Sequence, residues 1–500
     1  MTISRLSTLM LATVALAAAA NPVAVILDEA RSAPVEVFAD AVFHLIETNR
    51  IPPPDRAALL DEVFLRATGA HEAMPERPAA SPTRPAAPTP LLPIPAGANV
   101  HYSPAARVPG VAIRAQLRLD TLSIQCRVVR ALLGIDGKHA RELFSRIPRP
   151  DVPKPDCKGA ILKDPSPYFE TVEAVVTQAP FSDKEQAERL PFWIVESTVH
   201  GIQTSLEIIP AARNLSHLVQ NEKDALAMTS AFAAALGIED TDRNFSGAIG
   251  SNLLDALQVV EDRFAKLGVP PQALQAALRG YLVRHLTAAR CEDSTADYAG
   301  VAAAFNGSLE GQTGVPPIGA EESVPSKVEG KADIDKPLDK STYQDLLKQV
   351  NAVLRDPNAP TDVLAQLGAW KPADGEDPVA VFHNKIAWYL AILGSDVRLN
   401  GTPERPHGPL FPAVVQGLVA TVSDPAILDL APCDWLEEVQ AVDRQIGMQF
   451  GADMNGQFTP IMFAPDIAQA LASSSLPALQ VYGRMAILEH PSWLTFLERK

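Results

Sequence analysis

The stretch from Ala112 to Ile147, AIRAQLRLDTLSIQCRVVRALLGIDGKHARELFSRI, decides how the chain is read. Between Ala112 and Leu133 the polar positions Gln116, Asp120, Ser123, Arg127 and Arg130 make one helical stripe. Leu117, Ile124 and Val128 make a second, and Leu122, Cys126, Val129 and Leu133 a third. Side chains recurring every three or four residues share a helix face, so this spacing predicts a helix with two apolar flanks and only about a third of its surface left for water. Gly134 to Gly137 interrupt it, after which Ala140, Leu143, Phe144 and Ile147 fall at i, i+3, i+4 and i+7 on one side only. A two-sided helix followed by a one-sided one is what stacked helical hairpins produce, because inner helices are covered on both flanks. The predicted fold class is therefore all-α, with short helical hairpins packed in solenoid-like or irregular bundle blocks.

The same punctuation recurs outward from that pair. Val35–Thr48 and Asp55–Ala67 read as short amphipathic helices joined by a turn carrying Pro52, Pro53 and Pro54. Neither can bury its face alone, so both must dock elsewhere or pair with another chain. Asn221 with Asp224 caps a helix ending at Gly237, Ser251 opens one ending at Gly268, and Pro270-Pro271 opens a third that reaches Arg290. Asp377-Pro378 opens a helix that Gly394 is expected to close, and Asp434 with Glu437 makes a capping box before Trp435. Alternation over Thr171–Thr177 is the best strand signal, and a short helix explains it equally well.

Proline and charge divide the chain. Eight of the 44 prolines lie within residues 75–95, a run that cannot form a helix and reads as an extended polyproline-like tether. Residues 306–340 hold five glycines, four prolines and eleven charged residues with little long apolar content, which reads as a loosely packed linker. The expected organisation is a signal peptide at 1–20, an N-terminal helical element at 21–73, the tether at 74–100, a helical domain at 101–305, a linker at 306–340 and a C-terminal helical domain at 341–500.

Residues 1–20 carry the marks of export: Arg5 as the positive end, Leu6–Ala17 as the apolar stretch, and Ala18-Ala19-Ala20 as a cleavage site. Asn21-Pro22 interrupts the apolar run, which argues against a retained anchor, and no membrane span is expected after signal removal. The expected location is periplasmic or extracellular. Four cysteines, Cys126, Cys157, Cys291 and Cys433, form an even set with no CxxC pair, so two disulfides are expected in an oxidising compartment. Of three connectivities, Cys126 with Cys157 and Cys291 with Cys433 fits the helix order best. The first would close a loop of about 32 residues and contribute roughly 3 to 4 kcal/mol. Four buried free thiols are the alternative.

The chemistry is bounded mainly by what is missing. An apolar share of 47% supports packed cores, while 43 Lys and Arg against 59 Asp and Glu give a net charge of −16. That balance, with no run of five like charges, argues against nucleic-acid partners. No P-loop, GxGxxG, HExxH, GxSxG or SxxK spacing occurs. No cofactor is implied. Asp240, Asp242 and Asn244 place oxygens at alternate positions as a calcium loop would, but Phe245 stands where that loop needs glycine and Ser251 where it needs glutamate. Glu196 and His200, four apart on a helix starting near Pro191, are the candidate acid/base or half-metal pair; an exposed ion pair is the plainer account. His285 and His383 read as core histidines, each expected to donate one ring nitrogen to a backbone carbonyl and pack. Glu404 to His407 has the di-iron spacing, but Pro406 forbids the helix it needs. The reading is an exported, non-catalytic scaffold or protein-interaction module with partners in the cell envelope. The alternative is a secreted or periplasmic hydrolase with a dispersed site, and a third is a small-ligand or metal binder around His383.

Overall fold

The computed structural model describes residues 21–69, 118–150, 164–238, 247–292, 298–309, 314–331, 359–372, 378–400, 408–430, 435–436, 438–439 and 465–489, with the single positions 352 and 355. The signal segment 1–20, the tether 74–100, the calcium-like positions Asp240, Asp242 and Asn244, and Cys157 and Cys433 lie outside them. The described residues are overwhelmingly helical, as the periodicity predicts, and fall in two compact units. One combines 21–59 with the described residues beyond 338, and the other combines 60–69 with 118–331.

Three helices begin the chain: α1 (Pro22–Arg31), α2 (Val35–Glu47) and α3 (Pro53–Gly69). Asn21 caps α1, its side chain accepting from Val23 N at 3.1 Å, and Pro22 sits in the first turn where its missing N–H costs nothing. The apolar stripe of α2 puts Val37, Phe38, Ala41, Val42 and Leu45 out of water. From Leu60 on, α3 belongs to the second unit, where Leu60, Val63, Phe64 and Ala67 are buried.

That unit continues with α4 (Thr121–Leu133), α5 (Gly137–Phe144), α6 (Ser166–Gln178), α7 (Asp183–Ala187), α8 (Leu190–His200), α9 (Ser205–Leu215), α10 (Glu222–Leu236), α11 (Gly247–Lys266), α12 (Gln272–Thr287) and α13 (Tyr298–Ser308). α4 is shorter than the expected 112–133 helix. Asp120 is its N-cap, accepting from Ser123 N at 3.0 Å, and Arg118 takes a left-handed φ of 54°, so no helix runs through 118–120. Arg118 is tied down by a bidentate pair with Glu170, at 2.8 and 2.9 Å. Ser123, placed in the polar stripe by its type, is buried because it turns back to Asp120 Oδ2. The 171–177 alternation is helical, inside α6.

Packing in this unit skips a helix. α4 packs on α6, α6 on α8, α8 on α10 and α10 on α12, while α9 packs on α11 and α11 on α13. The ties between them show which way they run. Arg189, at the N-terminus of α8, pairs with Asp224 in the first turn of α10, and Arg284, near the C-terminus of α12, donates to Leu236 O at the C-terminus of α10. Like ends therefore meet, and α8, α10 and α12 run parallel. The second half of α3 joins through Gln125 Nε2 to Thr68 Oγ1 at 3.0 Å and Asp61 to His139 Nε2 at 2.6 Å.

Part of the stretch read as a loose linker is packed. α13 covers its first residues, and β1 (Arg290–Glu292) pairs in parallel with β2 (Val328–Lys331). Asn306 exchanges two bonds with the backbone of Ile318, at 2.7 and 3.0 Å, and Arg279 of α12 donates to Pro316 O and Pro317 O and pairs with Glu322. The composition has few apolar residues, and backbone carbonyls fixed by one arginine take their place.

In the other unit the chain adds α14 (Ala359–Ala369), α15 (Pro378–Asn400), α16 (Phe411–Val422), α17 (Pro425–Leu430), α18 (Pro465–Ala472) and α19 (Pro477–Glu489). α15 runs past Gly394, the expected stop. One interior glycine costs only about 1 kcal/mol, and the added turn carries Asp396, fully buried and accepting from Leu410 N at 2.8 Å and Asn400 Nδ2 at 2.7 Å. The N-terminal helices dock on α19: α1 and α2 both pack against it. Arg484 Nε lies 2.8 Å from Glu29 Oε2, Tyr482 Oη donates to Asp40 Oδ2 at 2.9 Å, and His44 pairs with Glu489.

α18 and α19 meet backbone to backbone at Gly483. A Cβ there would lie 2.3 Å from Ala472 N and 2.6 Å from Ala468 O. Gly483→Ala is expected to cost about 2 to 3 kcal/mol in denaturant unfolding, because neither neighbour is a flexible side-chain tip. Gly307→Ala, where nothing lies within 4 Å, should be neutral or stabilising by up to about 1 kcal/mol.

Candidate functional site

The expected acid/base pair sits on α8, which starts with Pro191 in its first turn. Glu196 Oε1 and His200 Nε2 are 4.0 Å apart, with His200 half exposed and Glu196 mostly covered. The helix end beside them is occupied structurally. Arg149 Nη2 donates to Thr198 O at 2.6 Å and Ser197 O at 3.3 Å, supplying a cation to carbonyls the helix leaves open. Its guanidinium lies where a Cβ on Gly201 would be, with Nη1 1.2 Å from that position. Below it, Glu207 is buried and accepts from Gln203 N, Thr204 N and Thr204 Oγ1, at 2.9, 3.0 and 3.3 Å. Burial raises its carboxyl above the usual range against those bonds. This is the reciprocal cap of α9, legible in the sequence as Thr204-x-x-Glu207. Among the described residues no third ligand joins Glu196 and His200, and no group of three metal-capable side chains occurs.

A closer pair lies in the other unit. His383 Nδ1 and Glu438 Oε1 are 2.6 Å apart, with side chains 5% and 2% exposed. His383 is a core histidine, as its apolar neighbours imply, and a carboxylate 55 residues on partners its Nδ1. Local spacing holds no signal for that partner. Trp435, fully buried three residues before Glu438, anchors the segment by donating from Nε1 to Val422 O at 2.7 Å. His285 is buried against Tyr281, their rings 4.1 Å apart. Both side chains of the His383–Glu438 pair are buried.

Cys126 is a free thiol buried between α4 and α6, and burial pushes it up to about 12. At neutral pH it is a thiol rather than a thiolate and so a poor nucleophile. Asn306, which matches the glycosylation tripeptide, has both amide atoms engaged by Ile318.

No protein-family model, curated protein or solved structure matches this chain. Among the described residues, its residues define an all-α protein whose ionisable side chains mostly cap helices or join them.

Replacing His200 by alanine should therefore change stability by no more than about 0.5 kcal/mol, as for an exposed ion pair. Glu438→Ala should cost about 3 kcal/mol or more, since it leaves a buried imidazole without its partner. Denaturant unfolding of both variants checks the contrast; equal effects would mean that Glu196 and His200 are held as a working pair.

Proposed function

We propose that the chain is an exported, non-catalytic scaffold whose stacked helical hairpins present a surface to protein partners in the cell envelope. The observation that carries this reading is the parallel packing of α8, α10 and α12, each on the helix two places before it. Stacking of that kind is the construction of solenoid-like proteins, which use a row of exposed helix faces for binding. Here the row offers Trp193, Ser197 and His200 on α8 and Lys223, Leu226, Ser230 and Ala234 on α10, all exposed. Trp193 is 53% and Leu226 49% exposed, although large apolar side chains are normally covered. Export is supported by the signal-like residues 1–20. No described helix is long and apolar enough to cross a membrane.

A photo-crosslinking residue placed in turn at 193, 197, 226 and 230 of the full chain, in the cells that produce it, tests the surface. A discrete partner captured at 193 and 226, and lost in a Trp193→Ser, Leu226→Ser double variant that unfolds at the wild-type midpoint, is the expected result. No capture at any of the four positions would overturn the reading. Turnover of ester, peptide or glycoside substrates abolished by Glu196→Gln would establish the hydrolase instead.

A further inference from the structure

A second buried carboxyl is paired in a way that an ionised group does not explain. Glu261 on α11 is 5% exposed and Gln275 on α12 is 1% exposed. Gln275 Nε2 donates to Glu261 Oε2 at 2.9 Å. Gln275 Oε1, equally sealed from water, has no donor. A buried acceptor left without a proton costs about 1 to 3 kcal/mol, and native proteins leave few of them. A carboxylate has no proton to give to that oxygen, whereas a carboxylic acid has one.

We propose that Glu261 is held as a neutral carboxylic acid whose O–H donates to Gln275 Oε1, so that acid and amide exchange two hydrogen bonds and clamp α11 to α12. Loss of that proton to solvent leaves carboxylate facing amide oxygen, acceptor against acceptor, and loosens the two helices. The device is pH-sensitive in the neutral range. Burial pushes Glu261 up to about 7; the Gln275 bond pulls the other way, and Asp262, next in the chain, adds to the rise.

The described charged groups on the elements around α11 are engaged elsewhere or lie in solvent. Arg213 of α9 reaches Asn252, and His217, in the turn after α9, lies 3.1 Å from Glu173. Asp224 of α10 holds Arg189, Glu222 lies beside Gly268, and Lys223 is exposed. On α12, Arg279 holds Glu322, Arg284 reaches Leu236 O, and His285 is stacked on Tyr281. On α13 the titratable group is Tyr298.

The unfolded chain ionises this carboxyl near its ordinary 4.5 and the folded chain near 7. Its contribution is therefore complete below the first value and is lost as pH rises through the second, a change on the order of a hundredfold in the folding constant.

Hydrogen exchange of the α11 and α12 amides in the full chain, corrected for the intrinsic pH dependence of exchange, reads this directly. Protection in the wild type should fall on the order of a hundredfold between about pH 5 and pH 8. In Glu261→Gln, where one amide replaces the acid and cannot titrate, it should change by less than about threefold. Infrared spectra of the unmodified protein supply a check that needs no variant: a carboxylic-acid carbonyl band sealed from solvent should be present at about pH 6 and gone by about pH 8.5. Equal pH dependence in wild type and variant, or no such band at the lower pH, would overturn the proposal.

Discussion

A helix of eleven to sixteen residues does not hold its shape in water, and α8, α10 and α12 are of that size. Each depends on burying an apolar stripe against the helix two places along the chain. α10 shows how this is divided: Ala225, Met228, Phe232 and Leu236 are buried, while Lys223, Leu226, Ser230 and Ala234 stay exposed. The intervening helices take the other side of the stack, so inner helices such as α6 are covered almost all round. Arg149 and Arg284 then fix helix ends, and Arg279 fixes the segment at Pro316 and Pro317, each donating to a backbone carbonyl of another segment. Such bonds place a helix end more sharply than apolar contact does, since apolar contact tolerates sliding.

Burial of charge follows a matching rule. Asp396 accepts from a backbone N–H and an amide, Glu207 from a cap, and Glu438 lies against His383. Each is a case where the cost of leaving water is offset by specific donors. The accessible pair, Glu196 and His200, is the loosest of them in distance. Closeness therefore marks the buried structural pairs in this molecule.

Sequence patterns near in the chain were readable. Asn221 with Asp224, Gly237 and Gly268 stand at helix ends as their chemistry requires, and Ala140 and Leu143 are buried on a helix as spacing puts them, although that helix stops at Phe144, short of Ile147. Misreadings arose where a partner distant in sequence decides. Periodicity carried α4 back to Ala112 because it does not see that Asp120 turns to Ser123 and that Glu170 fixes Arg118 in a left-handed conformation. Gly394 reads as a stop because the signal for glycine is local, while Asp396 is held by Leu410. His383 betrays its burial through Phe382, Ile386 and Tyr389 but says nothing of Glu438. Composition reads residues 314–323 as loose because it weighs apolar content and ignores carbonyls that Arg279 gathers.

The docking of α1 and α2 on α19 joins Asp40 to Tyr482, 442 positions apart. A chain made from its N-terminus outward holds α1 and α2 without their partner until Pro477–Glu489 exists, whereas the elements of 118–331 are complete well before. Contacts so far apart close slowly, and until they do the apolar faces around Phe38 and Val42 are open to other molecules. α1 and α2 are thus sheltered later than the helices of 118–331, which makes their apolar faces a place where newly made chains most need a chaperone.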